Sequence, residues 1–519
     1  MFESIDRREF MQLGAGSLAL AAVGCGRRRQ QHDSKITMLY GGDERLFGPV
    51  GQGLGAAQLV FLPLVSFTEQ GDFEGRLAES WEHSPDYGTW TIRLRAGVRW
   101  HDGRPVTAHD IKFTIDLWQH PDVLNMPPGS YSIRVLDDRT CTVICHRRGK
   151  LVDANILYYP KHLLEKLDPK KFREWEFWTR PIGNGPYRYV RHVPKTMTEL
   201  EANRDYYGGK PQIERVVLKF GHFSSMPGQK LVELLSGNVD VLGLLDPLEA
   251  LPVAGDARFN VYHRIWPGHL KAIVWNQRHL LFGDPQIRLA LTLAIDRREL
   301  HRVLNLPVSA PVFDVIFAET QLLRAELPPP LPHDPERAKQ LLDAAGWRNE
   351  GDDGVRHRNG TPFRFSALVA PVEGMLESAV FVQAQLRRVG IRMDIQTLDQ
   401  SVGRDRVLRG SFEAAIVRIQ NNFGRFGLVA LFGKDSALGY ANPKVSALLD
   451  EARFVVDQAR FEQIFRELMP IFQAELPATF LYPSVWTTLA HRRVRGLRTS
   501  FAHADAGWCM HELWLEEER

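Results

Sequence analysis

The clearest alternation of apolar and polar positions is TWTIRLRAGVRW (89–100), where Trp90, Ile92 and Leu94 recur at every second residue. This predicts a strand, with Ala96-Gly97 as the turn of a hairpin. Thr107 then predicts the N-cap of a helix running through Asp110, Phe113, Ile115 and Leu117. Asp284-Pro285 opens a second helix, with Ile287, Leu289, Ala290, Leu293 and Ala294 on its apolar face. In DPERAKQLLDAAGW (334–347) Asp334 caps, Pro335 fills the first turn and Gly346 ends the helix. A further helix runs from Leu376 to Val389, stops at Gly390 and leads into the strand IRMDIQTL (391–398). With ITMLY (36–40) as first strand, short strands and helices alternate without a repeat, which predicts an α/β class.

Length changes the picture next. A chain of 519 residues, 44% apolar, exceeds what one core usually supports, so two or more lobes are expected. Seams are expected near KAIVWNQ (271–277) and FLYPSVW (480–486), giving 36–270 as lobe I with a β-rich insert subdomain, 271–482 as lobe II, and 483–519 as the return to lobe I. Charge is balanced, 65 Lys and Arg against 62 Asp and Glu, so no field recommends nucleic acid as partner.

The first 24 residues read as an export signal: Arg7 and Arg8 precede a short apolar stretch from Leu13 to Val23. RREFMQLGAG (7–16) is similar to a twin-arginine signal, with Asp6 where that pattern prefers Ser or Thr. AAVGC (21–25) is similar to a lipobox, which makes Cys25 the expected lipidation site and residues 25–35 a tether holding the protein to a membrane.

Several chemistries find little support. Cys141 and Cys145 lie in an alternating run and, about 13 Å apart along a strand, cannot bridge each other; a pairing with Cys509 is open but nothing in the sequence calls for it, and buried thiols are the expected reading. No HxxxH or HExxH pair occurs among the 18 His, and His101, His109, His263 and His269 read as surface or turn residues. NEGDDGVRHRNG (349–360) reads as a polar hairpin, since a calcium loop would need a ligand where Gly351 stands. There is no GxSxG elbow and no phosphate-binding Gly-Lys-Ser/Thr loop, so no enzyme and no cofactor is expected.

LAESWEHSPDYGTWTIRLRAGVRWHDGRPVTAHDIKFTID (77–116) resembles the signature of the extracellular solute-binding proteins of family 5, the peptide and nickel receptors of ATP-binding-cassette importers. GNGPYRYV (183–190), NRDYYGGKPQIERVVLKF (203–220), LLSGNVDVLG (234–243) and IRLALTLAIDRREL (287–300) follow in the family's order. HDGRP and GNGP read as bends that fix the fold, not as ligand contacts. The resemblance implies a bilobal periplasmic-binding-protein fold (class II, cluster C type) with an extra subdomain in the first lobe. It implies an exported, monomeric receptor that encloses a peptide or similar small solute and delivers it to an ABC permease and ATPase complex. An exported hydrolase or a ligand sensor on the same scaffold is the alternative.

In this family the ligand contacts tend to come from the first strand, the crossover strands and a loop that here aligns with IVRIQNNFGRFG (416–427). Peptide-binding members typically carry an Asp in that loop for the ligand's amino terminus; here 419–431 holds no acid, and Arg425 favours an anionic group. The expected ligand-binding set is Arg425, Phe426, Asn422, Tyr440, Trp275, Asn276, Tyr40, Tyr482 and Trp486, aromatic walls and orienting amides near the seams.

Overall fold

The structure, a computed structural model, describes residues 34–40, 54–67, 73–123, 126–146, 156–220, 227–318, 326–349, 354–421, 427–455, 457–497 and 512–516. Its backbone is one ten-stranded mixed sheet. The strand order is Arg392–Thr397, Arg364–Val369, Ala414–Gln420, Phe259–Trp275, Ala478–His491, Val241–Leu245, Lys35–Tyr40, Arg215–Phe220, Met197–Ala202, Tyr187–Val193. The two long antiparallel strands at its centre, Phe259–Trp275 and Ala478–His491, are the crossover strands.

Pro267-Gly268 interrupts the alternation of the first crossover strand, as proline inside a sheet generally requires a bulge. The register shifts there: Phe259–Trp266 face 484–491, and Leu270–Val274 face 478–483. Past the bulge a second neighbour joins, with His269 opposite Gln420 and Trp275 opposite Ala414. The apolar interior divides accordingly. One cluster draws on 36–241 plus Ala490, Val494 and Leu513, and two others on 270–482, one on each face of the sheet. Thus KAIVW and FLYPSVW, read as seams, are hydrogen-bonded neighbours, with Lys271 facing Tyr482.

A separate four-stranded sheet, Ala78–His83, Thr89–Leu94, Thr140–Cys145, Tyr131–Asp137, packs with the helix Ala108–Trp118. The hairpin expected at 89–100 does not form. Gly97 makes the turn at φ +77°, but the Leu94 N–H donates to the Arg139 carbonyl (2.7 Å), so Thr140–Cys145 takes the place beside Thr89–Leu94. Residues 99 and 105 form only an isolated bridge. Cys141 and Cys145 are free, and burial pushes their thiols up to about 12 and about 11; Cys509 lies outside the described residues.

The expected helix ends are present. Asp110 completes a capping box with Thr107 (2.8 Å), and Asp284 and Asp334 accept from Gln286 (2.8 Å) and Arg337 (2.9 Å). Arg348–Asn349, Arg356–Arg358 and Thr361–Pro362 pair as a small three-stranded ladder; residues 350–353 of the expected polar hairpin lie outside the described residues.

HDGRP and GNGP meet each other. His101 N donates to Gly183 O (2.7 Å), Gly183 N donates to His101 Nδ1 (3.2 Å), and His101 Nε2 donates to Gly185 O (3.1 Å). The ring is thereby used at both nitrogens, and burial holds it neutral, down to about 4. Both glycines are required by close approach: a Cβ on Gly183 would lie 1.9 Å from the Val60 carbonyl oxygen, and one on Gly185 2.6 Å from that of Leu59.

Candidate ligand-binding site

Side chains two apart on a strand share a face, and directly paired residues share it across strands. On one face of the first crossover strand, Trp275 and Ile273 lie with Ala414 and Ile416 of the neighbouring strand, all 0–2% exposed. Toward the bulge the same face turns polar. Lys271 stands opposite Arg418 on one side and Tyr482 on the other, and His269 opposite Gln420. Beyond the bulge it continues through Trp266 opposite Ser484 and Arg264 opposite Trp486. This polar row crosses the place where the two halves of the sheet join.

The row is tied down by Glu373, from the loop before the helix Met375–Arg388. Its Oε1 accepts from Arg418 Nη1 (2.6 Å) and its Oε2 from Lys271 Nζ. The Lys271 side chain is 2% exposed, those of Arg418 and Glu373 23% and 34%. Burial alone would raise the Glu373 carboxyl; the Lys271 and Arg418 charges outweigh it and hold the group below the usual carboxylate range. Burial lowers Lys271 against the attraction of Glu373. Glu373 adopts φ +50° and Gly374 φ +69°. A non-glycine residue held in the left-handed region costs on the order of 1–3 kcal/mol, so the two ion pairs over-determine a strained position.

Beneath that loop lie Tyr482, whose hydroxyl meets Ser378 Oγ (3.0 Å), and Asp246, which caps a short 3₁₀ turn by accepting from Leu248 N (2.9 Å). Burial pushes the Asp246 carboxyl up to about 6. Across the junction Trp266 and Trp486 stack with ring centroids 5.2 Å apart, and the Arg264 guanidinium lies 4.4 Å from the Trp266 centroid. The His269 ring sits 6.0 Å from Trp266 and 6.4 Å from Trp486. Burial, and then the charges of Arg418 and Lys271, push His269 down to about 4. Its Nδ1 and the Ser484 Oγ are buried and, among the described residues, have no hydrogen-bond partner. Such atoms in a native fold call for a water or a ligand.

The profile of the bacterial extracellular solute-binding proteins, family 5 (middle region), matches residues 72–426, more than half of the chain. The chain belongs to this family. Among curated relatives it is 29% identical over 373 residues to a protein of Brucella ovis provisionally named an ABC transporter peptide-binding protein, covering 69% of this chain and 67% of that one. It is 25% identical over 397 residues to the nickel-binding periplasmic protein of Escherichia coli, covering 72% and 70%. Among solved structures, the ABC transporter substrate-binding protein CtaP of Listeria monocytogenes superposes with a TM-score of 0.75 at 18% identity, over 93% of this chain and 99% of that one. That likeness establishes the fold alone.

In this family 5 protein the expected contacts divide. Trp486 lies in the polar row, and Tyr482 forms its buried wall. Trp275, expected at the cleft, is instead packed among Phe282 and Phe365 at 0% exposure, with its indole N–H donating to Thr479 Oγ1 (3.1 Å). Asn276 uses its amide to hold the carbonyls of Gly410 (3.1 Å) and Phe412 (2.6 Å), and Tyr440, 4% exposed, donates to Glu475. These three serve the interior because proximity in sequence to a seam does not decide which face a side chain takes. Tyr40 ends the strand Lys35–Tyr40, opposite Phe220. Asn422, Arg425, Phe426 and Cys25 lie outside the described residues.

Lys271, Arg418 and His269 were missed, and His269 is not the surface or turn residue expected. Their signal was present as charged or polar residues at alternate positions of otherwise buried strands, HLKAIVW and AAIVRIQ. Glu373 had no signal, since only the fold brings its loop to the sheet. Among the described residues no group of three or more His, Cys, Asp or Glu is placed to hold a metal ion.

Proposed function

We propose that this chain is the substrate-binding protein of an ABC-type importer, taking up a peptide or similar small solute between two lobes joined by the crossover strands and handing it to a membrane permease. The observation carrying this reading is the polar row at the junction, with His269 Nδ1 and Ser484 Oγ buried and unmatched among the described residues, in a chain of family 5. The partition of the apolar interior supports lobes at 36–270 with 483–519, and at 271–482. Closure about the crossover strands would complete the site, and the bulge at Pro267-Gly268 is the natural hinge. In this reading the amino-terminal signal delivers the chain to the outer face of the cytoplasmic membrane, where acylated Cys25 anchors a monomer that binds without turnover.

Native mass spectrometry of the full chain, expressed in an export-competent bacterium and gently purified, tests the reading. A retained small molecule, with a melting shift on its removal and return, is expected; a solute present at 100 times its Kd adds about 2.7 kcal/mol. Catalytic conversion of that molecule would replace the receptor reading with the hydrolase alternative. A mass shift at Cys25 equal to diacylglycerol plus an acyl chain checks the anchor.

A further inference from the structure

Of the strands flanking the crossover pair, Ala414–Gln420 ends opposite His269 and Val241–Leu245 ends opposite Thr487, so between those points the sheet is two strands wide among the described residues. Paired strands lie about 4.8 Å apart, and a two-stranded ribbon twists over a wider range than a broad sheet. The crossover strands alone would therefore leave the relative twist of the two halves loosely fixed.

The chain that follows the strand Val241–Leu245 spans this gap as the 3₁₀ turn Pro247–Val253. The far end of the turn belongs to the first lobe: Ala250 and Val253 are buried with Leu39, Leu242 and Phe259, and Lys230 pairs with Glu249 (3.7 Å). The near end rests on the second lobe. Leu248 packs against the cluster that holds Leu304 and Tyr482, and Asn305 Nδ2 donates to the Pro247 carbonyl (3.2 Å). A Cβ on Gly374 would stand 3.4 Å from Leu304 Cδ2 and 3.6 Å from Asp246 Oδ2, so the left-handed 373–374 loop closes over the same contact. Asp246 folds the turn, its Oδ1 accepting from Leu248 N (2.9 Å) and its carbonyl from Glu249 N (2.9 Å). The Asp246 charge is attracted by Lys271 and repelled by Glu249 and Glu377, so charge pulls both ways and the apolar contact and the Asn305 bond hold the turn in place.

We infer that the turn 246–248 is a third, non-covalent crossing between the lobes, a strut that restrains their twist about the crossover strands and so limits the arrangements open to a solute. The inference rests on the two-lobed solute-binding reading and goes beyond it by naming what controls the lobe motion.

Single-molecule energy transfer on the full chain tests this, with dyes attached through azidophenylalanine at Leu136 in the first lobe and Val380 in the second, 52% and 53% exposed. Asn305 holds φ +54°, so Asn305→Gly removes the amide and keeps the left-handed backbone, while Leu248→Ala removes the packing. Each variant is expected to raise the population outside the main wild-type peak about 5-fold, and the two together at least about 10-fold. Leu251→Ala, in the same turn but 48% exposed, should leave the distribution unchanged. Should Leu248→Ala fail to fold, Asn305→Gly alone decides. Variant distributions that superpose on wild type, or an equal change in Leu251→Ala, overturn the strut. Wild type as purified and after removal of its retained solute separates this from the solute-binding reading. A wild-type peak that shifts on removal, with variants that change nothing, overturns the strut alone; no retained solute, with a peak that the variants do move, overturns the solute-binding reading alone.

Discussion

His101 and His269 are both pushed down to about 4 by burial, yet their surroundings differ. At the joint between HDGRP and GNGP, His101 uses both ring nitrogens on backbone groups of Gly183 and Gly185, and those glycines lie against the 59–60 backbone with no space for a methyl. At the junction of the crossover strands, His269 Nδ1 and Ser484 Oγ have no such partners among the described residues, and the nearby Glu373 holds a left-handed backbone. The first region fixes the fold through close backbone contact, and Asn184 Nδ2 within it is likewise buried with no hydrogen-bond partner among the described residues. The second region differs in the left-handed backbone of Glu373, held by ion pairs to Lys271 and Arg418 beside its unmatched polar atoms.

Gly183→Ala should have the largest effect. A methyl 1.9 Å from the Val60 carbonyl oxygen, which also accepts from Asn184 (2.9 Å) and Gly185 (2.8 Å), forces the backbone apart. A loss of about 3–5 kcal/mol in urea melts is expected; a loss under about 1 kcal/mol would mean that the joint is not rigid.

His101→Phe removes a buried acceptor and donor together and strands the Gly183 N–H, so about 2–3 kcal/mol should be lost. His269→Ala should cost under about 1 kcal/mol, because no hydrogen bond of its Nδ1 within the described residues is broken, while weakening solute binding. Equal stability losses in the two variants would erase the distinction between the regions.

Acidification probes both at once. Each imidazole has a folded value of about 4 against an ordinary 6.5, so the unfolded chain binds protons first. The stability this represents is present above pH 6.5 and lost as pH falls toward 4, on the order of 1–3 kcal/mol per histidine. Asp246 acts oppositely: its folded value of about 6 lies above the ordinary 3.8, so its contribution is present below pH 3.8 and lost as pH rises through 6. Melts at pH 7 and 5 should show a net loss for wild type and a smaller one for His101→Phe; an unchanged loss would assign the effect elsewhere.

Asp246→Asn, which keeps a capping oxygen for Leu248 N and removes a carboxylate disfavoured by burial, should stabilise by about 1 kcal/mol at pH 7 and by nothing at pH 4. Destabilisation at pH 7 would show that the charge answers Lys271 across the junction.

Much of this was legible from residues alone. Caps at Thr107, Asp284 and Asp334, stops at Gly346 and Gly390, and the alternation in 89–94 and 140–145 are local effects, set by backbone freedom and by periods of two or 3.6. The colinear blocks were enough to place the chain among family 5 proteins because they encode bends and close contacts that the fold requires. What pairs with what was not local. The partner of 89–94 came from 140–145 instead of the expected hairpin, since strand pairing is settled by segments far apart in the chain. The same holds for the site. Trp275 and Lys271 lie on one face of one strand, yet packing puts the first in the interior and the second in the polar row, where Glu373 reaches Lys271 from about 100 residues away. Sequence determined the elements and the family; which side chains face the junction was decided only when non-local strands and a strained loop were brought together.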